Sequence, residues 1–458
     1  MSLKSLNNIF KGDKVIWMVF FLLCMISIVE VYSASSTLSY KGGNYWAPLL
    51  KHGGMLFIGF IVMIVVMNIK CRYFKIATLP ALVLSVLMLI GVLLTGGVTN
   101  GASRWIEVMG IQFQPSELGK GALVLAVAQI LSAMQTEAGA AKKAFKYILF
   151  LSAAIIIPIS FENLSTALLA SLTVLLMMFV GRVPLKQIGK LLGVGALTVV
   201  FALALVMAVG TDEEKNAPKQ TLTEQTTLVE EESEENFIGK LFHRADTWKA
   251  RINRFLNNEY VAPKDYDLDK DGQIGHANIA IASSNILGKG PGNSNERDFL
   301  SQAFSDFIYA IIIEELGLLG GFFVVFLYIC LLIRVGRIAK KCDRTFPAFL
   351  IIGIGLLLVT QALFNMMVAV GLAPVTGQPL PLISKGGTST FINCAYIGMI
   401  LSVSRYTAKL EEQRLHDAQI PMLIDTGDIG NQASTTISDA QTAADPTAEM
   451  LNRDAEFK

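Results

Sequence analysis

The sequence predicts an all-α polytopic integral membrane protein: a bundle of ten transmembrane helices, with a large extracytoplasmic loop between helices 7 and 8 and both termini in the cytoplasm. Three observations lead to this prediction. Of the 458 residues, 53% are hydrophobic and only 16% are charged, whereas about 25% of the residues of a soluble domain are charged. Ten apolar runs approach or exceed the roughly 20 residues that a membrane-spanning helix needs. The runs are continuous and lack the alternation of a membrane β-barrel.

Positive charges predict the orientation of these runs. Lys and Arg resist translocation, so their clusters mark cytoplasmic connections. Such clusters fall at every second connection, which leaves both termini in the cytoplasm and the long loop outside. The runs lie at 15–33, 54–69, 75–96, 118–135, 145–160, 164–181, 187–209, 304–333, 347–372 and 388–407. The clusters are Lys4/Lys11/Lys14, Lys70/Arg72/Lys75, Lys142/Lys143/Lys146, Arg182/Lys186/Lys190, Arg334/Arg337/Lys340/Lys341/Arg344 and Arg405/Lys409/Arg414.

Five segments follow from this topology. They are a cytoplasmic N-terminus at 1–14, helices 1–7 at 15–209, an extracytoplasmic loop at 210–303, helices 8–10 at 304–407 and a disordered cytoplasmic tail at 408–458. The loop begins with an acidic, Thr-rich stretch that is too polar to fold alone. It continues at 237–256 with the spacing of an amphipathic helix that lies on the outer membrane surface. A signal peptide is the alternative for the first run, because Tyr32-Ser33-Ala34-Ser35 resembles a cleavage site.

Composition excludes several classes of function. The 38 basic and 37 acidic residues give a net charge of +1, so the chain lacks the basic excess of a nucleic-acid-binding protein. The five cysteines are far apart and show neither zinc-ligand nor disulfide-framework spacing. The glycine-rich segments do not match a Walker A motif, and we expect no nucleotide or organic cofactor.

The strongest candidate for chemistry is Asp306, at the start of the eighth run. Ionisable residues at membrane depth are costly and tend to carry function. A helix N-cap is the structural alternative, because Asp favours that position. Glu314 and Glu315 lie roughly 12–14 Å further along the helix at 1.5 Å per residue. We expect them to be structural or electrostatic, with one of them paired to a buried base.

A second cluster precedes the fourth run. Gln114, Pro115, Ser116, Glu117 and Lys120 suit a helix N-terminus, and Glu117 and Lys120 are spaced to meet on one face. A structural ion pair and a substrate contact both remain open for these two residues. Upstream, Arg104 lies beside Trp105, where it suits either bidentate phosphate binding or simple interfacial anchoring.

Two glycine-rich segments and one acidic motif complete the candidates. Lys289 and Asn293 lie in a Gly288–Ser294 segment, and Ser384 and Lys385 lie in a Pro-interrupted segment at 376–388. Irregular backbone at membrane depth is tolerated where it lines a cavity, although turn chemistry also explains the glycines. The motif Asp267-Leu268-Asp269-Lys270-Asp271-Gly272 copies half of a calcium-binding EF-hand loop, but Asn278 replaces the twelfth-position Glu, so we expect a polar turn.

Taken together, the motifs resemble the SEDS family, whose members include FtsW and RodA. The resemblance covers residues 15–407 and depends on several motifs in the right order. They are Arg104-Trp105-Ile106, Gln114-Pro115-Ser116-Glu117 with Lys120, residues 251–257, Gly288-Lys289-Gly290 with Asn293-Ser294, Ser305-Asp306-Phe307 with Glu314-Glu315-Leu316-Gly317, and residues 374–387.

The resemblance implies a peptidoglycan glycosyltransferase that polymerises lipid II on the outer face of the cytoplasmic membrane, with Asp306 as its catalytic carboxylate. A single base that accepts the proton of the attacking sugar hydroxyl suits this chemistry, with inversion at the anomeric carbon. Arg104, Lys289 or a divalent cation, Mg²⁺ or Mn²⁺, would stabilise the diphosphate leaving group. The substrate-binding residues that we expect are Arg104, Gln114, Ser116, Glu117, Lys120, Lys289, Asn293, Ser384 and Lys385.

Further expectations come with the family. The partners are a class B penicillin-binding transpeptidase and the regulators of the division complex, and the long acidic tail favours the division type, at the septum of the inner membrane, over the elongation type. Glu162-Asn163-Leu164-Ser165-Thr166 departs from the family's usual Pro-Asp-Leu-Gly-Thr, Ser305 replaces a frequent Thr, and Lys385 replaces a frequent aromatic residue. A lipid II flippase, with Glu117, Lys120, Glu314 and Glu315 along a path, is the main alternative. A scaffold that only recruits the transpeptidase is another.

Overall fold

A computed structural model describes residues 11–35, 46–95, 106–108, 111–209, 268–300 and 303–425. Eleven α-helices and two short β-hairpins lie within these ranges. The helices are α1 (Lys14–Ala34), α2 (Ala47–Asn68), α3 (Cys71–Thr95), α4 (Pro115–Ala133), α5 (Lys142–Glu162), α6 (Leu164–Val180), α7 (Leu185–Val209), α8 (Leu268–Ser283), α9 (Ile308–Lys340), α10 (Thr345–Ala369) and α11 (Thr388–Asp425). The strands are β1 (Ile106–Val108), β2 (Ile111–Phe113), β3 (Gln135–Thr136) and β4 (Gly139–Ala140).

Each of the ten apolar runs coincides with a helix, because a continuous apolar segment must satisfy its backbone internally. Within the described ranges, seven helices are long and apolar enough to cross a membrane, namely α1, α2, α3, α4, α5, α9 and α10, and α6 is a shorter apolar helix. Local signals set some of the ends. Asp13 Oδ1 accepts hydrogen bonds from Val15 N at 2.9 Å and Ile16 N at 3.2 Å at the start of α1.

The core of the bundle lies around α4, which packs against α3, α5 and α10. The helix α9 packs against α10 and α1, and α2 packs along α11. Large apolar side chains remain exposed on the outer helices, for example Phe57 on α2, Leu87 on α3 and Phe150 on α5, with exposed fractions of 64%, 61% and 80%. An apolar perimeter around a buried core is typical of a bundle surrounded by lipid.

The two β-hairpins were not predicted. The strands β1 and β2 pair antiparallel, with Ile106 opposite Phe113, and lie immediately before α4. The strands β3 and β4 form the turn between α4 and α5, with Gln135 opposite Ala140. Strands of two or three residues are too short to leave an alternating pattern in the sequence.

The prediction of a polar turn at the EF-hand-like motif was wrong, because α8 begins at Leu268 and continues through this motif to Ser283. The reason lies in the residues that follow. Ala277 and Ala280 are buried at helical spacing and pack with Phe307 and Ala310 at the start of α9. This apolar stripe favours a helix over a free acidic turn.

The prediction of a disordered tail from residue 408 was also wrong for its first part, because α11 continues to Asp425. Residues 408–414 are rich in Lys, Glu, Gln, Arg and Leu, which have high helix propensity. Lys341 pairs with Glu411 at 2.8 Å, and Arg414 pairs with Asp343. The acidic stretch that begins the long loop, the expected amphipathic helix at 237–256 and the tail beyond 425 lie outside the described residues.

Candidate functional site

Asp306 lies in a turn immediately before α9, half-buried. The N-cap residue of α9 is Phe307, one position after Asp306. The Ser305 hydroxyl donates to Asp306 Oδ1 at 3.0 Å. The amide of Asn365, on α10, donates to the Asp306 carbonyl at 2.8 Å. Both the backbone and the carboxylate of Asp306 are therefore oriented by neighbouring groups.

The segment between α10 and α11 packs directly on this turn. Ser384 Oγ donates to the Ser305 carbonyl at 2.6 Å and accepts from Leu380 N at 2.7 Å. The Lys385 amide donates to the Phe304 carbonyl at 2.9 Å. Ser384 and Lys385, two of the residues predicted from sequence, are thus brought beside Asp306.

Lys385 places a positive charge beside this turn. Its ammonium lies 4.6 Å from the centre of the Phe304 ring, a cation–π arrangement. Burial lowers the pKa of Lys385, and repulsion from Lys51 lowers that pKa further. A cation that is partly desolvated and close to a like charge gains from binding an anion.

The residues of the second cluster lie before and within the first two turns of α4. Lys120 Nζ is shared between Glu117 Oε1 and Gln361 Oε1, at 2.8 Å from each. Gln361 also donates to the Pro379 carbonyl at 3.1 Å, which links the ion pair to the 376–388 segment. Gln114 N, at 3.4 Å from Thr388 Oγ1, makes a second link. The cluster and the Asp306 turn are therefore parts of one hydrogen-bonded assembly.

Two polar atoms of this cluster have no hydrogen-bond partner among the described residues. They are Ser116 Oγ and Glu117 Oε2, and both are buried. Buried polar groups in proteins are usually satisfied, so a group of this kind needs an explanation. Both atoms could form hydrogen bonds with a bound ligand.

The Gly288–Ser294 segment contacts α9 further along the helix. Lys289 Nζ lies 2.6 Å from Glu314 Oε1 and donates to Ser283 Oγ at 2.9 Å. Asn293 Nδ2 donates to the Lys289 carbonyl at 3.0 Å, inside the segment. Glu315 accepts from Gly292 N at 2.9 Å. Glu314 and Glu315 hold this segment in place, and the charge of Lys289 is already balanced by Glu314.

Sequence reasoning missed several residues that organise the site. Gln361 and Asn365 lie four residues apart, on one face of α10, and Asn365 also donates to the Gln378 carbonyl at 2.7 Å. Gln378 in turn donates to Thr166 Oγ1, on α6, at 2.7 Å. The available signal was the presence of two amides at helical spacing inside an apolar run.

Arg104 and Trp105 lie outside the described residues. Within the described part of the chain there is no group of three or more His, Cys, Asp or Glu side chains arranged to hold a metal ion. Mg²⁺ is often held by only one or two protein carboxylates, so it would need fewer protein ligands than such a group supplies. Asp306 alone would meet that smaller requirement.

Comparison with known proteins matches this chain to a protein family. The family FTSW_RODA_SPOVE, described as "Cell cycle protein", matches residues 13–218 and 237–409. A similar curated sequence is "Probable peptidoglycan glycosyltransferase FtsW" of Geobacter metallireducens, 31% identical over 405 residues that cover 87% of this chain and 96% of the relative. Another is "Peptidoglycan glycosyltransferase MrdB" of Escherichia coli K12, 26% identical over 395 residues that cover 85% of this chain and 94% of the relative.

Solved structures agree in fold. A chain of a peptidoglycan synthase complex, described by its "structural coordination of polymerization and crosslinking", has a TM-score of 0.61 at 23% identity, covering 86% of this chain and 98% of that one. The rod shape determining protein RodA of Thermus thermophilus has a TM-score of 0.57 at 21% identity, covering 87% of this chain and 98% of that one.

Proposed function

The chain belongs to the FtsW, RodA and SpoVE family, and on that basis we propose that it is a peptidoglycan glycosyltransferase that polymerises lipid II into glycan strands, with Asp306 as its catalytic base. The assignment of Asp306 as the base rests on the hydrogen bonds that hold its turn. The Ser305 hydroxyl holds the Asp306 carboxylate and the Asn365 amide holds the Asp306 carbonyl, while Ser384 fixes the preceding carbonyl of Ser305. Such fixing supplies the orientation that general base catalysis requires.

The reaction is a single displacement. The 4-hydroxyl of the acceptor sugar attacks the anomeric carbon of the donor sugar, and its proton passes to the Asp306 carboxylate. The bond between the anomeric carbon and the phosphate oxygen breaks, and undecaprenyl diphosphate leaves with the electron pair. The configuration at the anomeric carbon is inverted, because no enzyme nucleophile intervenes.

Lys385 is the best candidate to stabilise the leaving group. Charge develops on the diphosphate as the bond breaks, and a nearby ammonium lowers the energy of that state. Lys385 lies beside the Asp306 turn, and its lowered pKa means that an anion would be a favourable partner. Lys289 is paired with Glu314, so we assign Lys289 and Asn293 to shaping the wall of the site. Arg104 keeps its expected role as a phosphate ligand.

The α4 cluster is proposed to contact the substrate. Ser116 Oγ and Glu117 Oε2 are the two buried atoms there that lack partners among the described residues, and sugar hydroxyls or peptide amides of lipid II would satisfy them. Lys120 orients Glu117 through the ion pair. Gln114 contributes through its contact with Thr388 at the start of α11.

A divalent cation, Mg²⁺ or Mn²⁺, is compatible with this arrangement. Asp306 and the substrate diphosphate would hold it, and it would neutralise charge on the leaving group. The roles proposed above for Lys385 and for the α4 cluster do not require this cation.

We further propose the ten-span topology, with both termini in the cytoplasm and the Asp306 site at the outer face of the cytoplasmic membrane. A class B penicillin-binding transpeptidase is the expected partner, which agrees with the similarity to a chain of a peptidoglycan synthase complex. The FtsW names of the relatives support a role in septal wall synthesis with division regulators. The MrdB relative keeps the elongation type as the alternative.

The test is lipid II polymerisation by the purified full-length chain with its transpeptidase partner, with glycan length read on a gel. We expect Asp306→Ala and Asp306→Asn to lower the rate by roughly 10²- to 10⁴-fold, the usual contribution of a general base. Asp298→Ala, at an exposed acidic residue of the outer loop, is the matched control. Melting temperatures show whether each variant is folded.

Other outcomes identify the rival functions. Equal polymer from wild type and Asp306→Ala would place the base elsewhere. A wild type that makes no polymer with its partner, but moves lipid II across vesicle membranes, would be a transporter. A wild type that does neither and only binds the transpeptidase would be a scaffold.

A further inference from the structure

A strained corner lies next to the candidate catalytic turn. Leu382 adopts a left-handed backbone conformation, with φ of 67°, although it is a bulky residue without the freedom of glycine. Its side chain is buried. Such a conformation is unfavourable for a residue with a side chain and persists only when surrounding contacts enforce it. The contacts that hold Leu382 in this conformation therefore also position the residues that follow it in the chain.

Two hydrogen bonds hold the backbone on either side of Leu382. The Tyr328 hydroxyl, on α9, donates to the Pro381 carbonyl. The Ser27 hydroxyl, on α1, donates to the Ile383 carbonyl at 2.6 Å. Both side chains are fully buried, where such bonds are strong because water does not compete.

Ser27 is itself held by His52, on α2. The distance between Ser27 Oγ and His52 Nε2 is 2.8 Å, and His52 is 2% exposed. Since the single hydroxyl proton of Ser27 is directed to the Ile383 carbonyl, His52 Nε2 must be the donor in this pair. His52 therefore fixes the direction of the Ser27 hydroxyl.

The corner leads directly to the catalytic turn. Ser384 and Lys385 follow Ile383, and their side chain and amide bind the carbonyls of Ser305 and Phe304 at 2.6 and 2.9 Å. A continuous path of hydrogen bonds and chain thus runs from α2, through α1, to Asp306. A displacement of Ile383 would be passed to both Lys385 and Asp306.

We propose that Ser27 and His52 are positioning residues for the glycosyl transfer: they hold the strained corner at Leu382, and through it the relative placement of Lys385 and Asp306. The inference rests on the proposed function, because it names the reaction that the corner serves. Neither residue touches the reacting atoms, so their effect should appear in turnover and not in the binding of lipid II.

The experiment compares Ser27→Ala, His52→Leu and His52→Gln with wild type in the polymerisation assay with the transpeptidase partner. We expect Ser27→Ala and His52→Leu to lower kcat by roughly 10- to 100-fold, the effect of a displacement near 1 Å, with KM for lipid II within about threefold of wild type. His52→Gln should retain most of the activity, because its amide N–H can donate to Ser27. The double variant Ser27→Ala/His52→Leu should be no worse than the more affected single variant, because the two residues act as a unit.

Ser85→Ala is the matched control, since Ser85 is a buried serine whose hydroxyl donates to the Ala81 carbonyl of its own helix at 2.6 Å. Hydrogen exchange supplies a readout that does not depend on activity. The Ser384 and Lys385 amides are both hydrogen-bonded, and we expect them to exchange faster in Ser27→Ala and His52→Leu but not in Ser85→Ala.

The outcomes separate this inference from the function on which it rests. An active wild type with Ser27→Ala as active as Ser85→Ala, or with His52→Gln no better than His52→Leu, would overturn the inference alone. An inactive wild type would overturn the proposed function and the inference with it. A rise in KM with unchanged kcat would also contradict a positioning role.

Discussion

Lys120 shows how a single buried charge is accommodated inside this bundle. Its side chain is 1% exposed, and Glu117 and Gln361 share its ammonium. Removing one partner of a buried ion pair leaves an uncompensated charge, whereas removing both is often tolerated. The pair therefore allows its structural role and its proposed contact with substrate to be tested separately.

We expect Lys120→Met to destabilise the protein by roughly 3–5 kcal/mol, because Glu117 is left buried without its counter-ion. The double variant Glu117→Gln/Lys120→Met should recover most of the lost stability but not polymerisation, because the carboxylate proposed to bind lipid II is gone. Thermal melting in detergent and the polymerisation assay measure the two properties. Recovery of full activity together with stability would make the pair purely structural.

Lys385 gives a pH dependence of stability with a definite sign. Burial and the neighbouring Lys51 lower the pKa of Lys385 from its ordinary value of 10.5 in the folded protein. Between the lowered pKa and 10.5 the unfolded chain binds more protons than the folded one, so the free energy of unfolding rises with pH across that window. Below the lowered pKa, Lys385 is charged in both the folded and the unfolded chain, and the full free-energy penalty for burying its ammonium lowers the stability.

Lys385→Met should accordingly be more stable than wild type near neutral pH, and the difference should shrink as pH approaches 10.5. Melting temperatures measured from pH 7 upward test this expectation. Lys190→Met, at an exposed lysine of α7, controls for the loss of one charge. A difference that grows with pH would contradict the stated direction.

Among the residues of the candidate site, the sequence predicts the charged ones better than those with amide or hydroxyl side chains. Asp306, Glu117 and Lys120 stand out because a charge inside an apolar run is costly and rare. Ser27 and Asn365 do not, because their partners are backbone carbonyls of the Ile383 and Asp306 segments, far away in the chain. Only the fold brings such a donor to such a carbonyl.

Among the helices, α9 differs most from its prediction, since it is broken at Gly317. This residue has φ of 73° and ψ of −178°, which is not helical. The 285–290 segment fits into the break. Lys289 N and Gly290 N donate to the Glu314 and Glu315 carbonyls at 3.0 and 2.8 Å. Backbone groups freed by the break are thus satisfied by protein, as irregular backbone at membrane depth requires.

Glycine is required on both sides of this junction. A Cβ at Gly317 would lie 2.2 Å from the Ile286 carbonyl oxygen, and one at Gly288 would lie 2.3 Å from the Glu315 carbonyl oxygen. We expect Gly317→Ala and Gly288→Ala each to cost on the order of 3–5 kcal/mol, since backbone atoms cannot move aside cheaply. Yields of folded protein and melting temperatures measure the effect.

Gly336→Ala is the control on the same helix, because its Cβ would meet no atom within 4 Å. It should be neutral or stabilising by up to about 1 kcal/mol, the gain in helix propensity. Similar melting temperatures for Gly317→Ala and Gly336→Ala would mean that the junction does not constrain the fold. The apolar run predicted the helix but not its break, because a single glycine is tolerated inside a helical pattern.

Across the whole molecule, contacts join connections that carry the Lys and Arg clusters. Asp13 pairs with Arg334 at 2.6 Å, which joins the start of α1 to α9. Arg405 donates to Asn68 at 2.7 Å, which joins α11 to the end of α2. Ala140 N donates to the Arg182 carbonyl at 3.3 Å, which joins the turn after α4 to the turn after α6. Positively charged connections, which are every second connection along the chain, thus contact one another in the fold.

The orientation of the bundle in the membrane follows from these contacts together with the positive-inside rule. In a full-length variant with the native cysteines replaced, single cysteines at exposed sites report the side of the membrane. We expect Asn295→Cys to react with a membrane-impermeant maleimide in intact spheroplasts, and Glu137→Cys and Glu412→Cys to react only after permeabilisation. Lipid II polymerisation by each variant shows that the fold is kept. Labelling of Glu137→Cys in intact spheroplasts would contradict this orientation. Because α9 connects Asp306 to Arg334 across the bundle, the catalytic turn would then face the cytoplasm, where transpeptidation cannot follow. The proposed topology of the polymerase would be wrong.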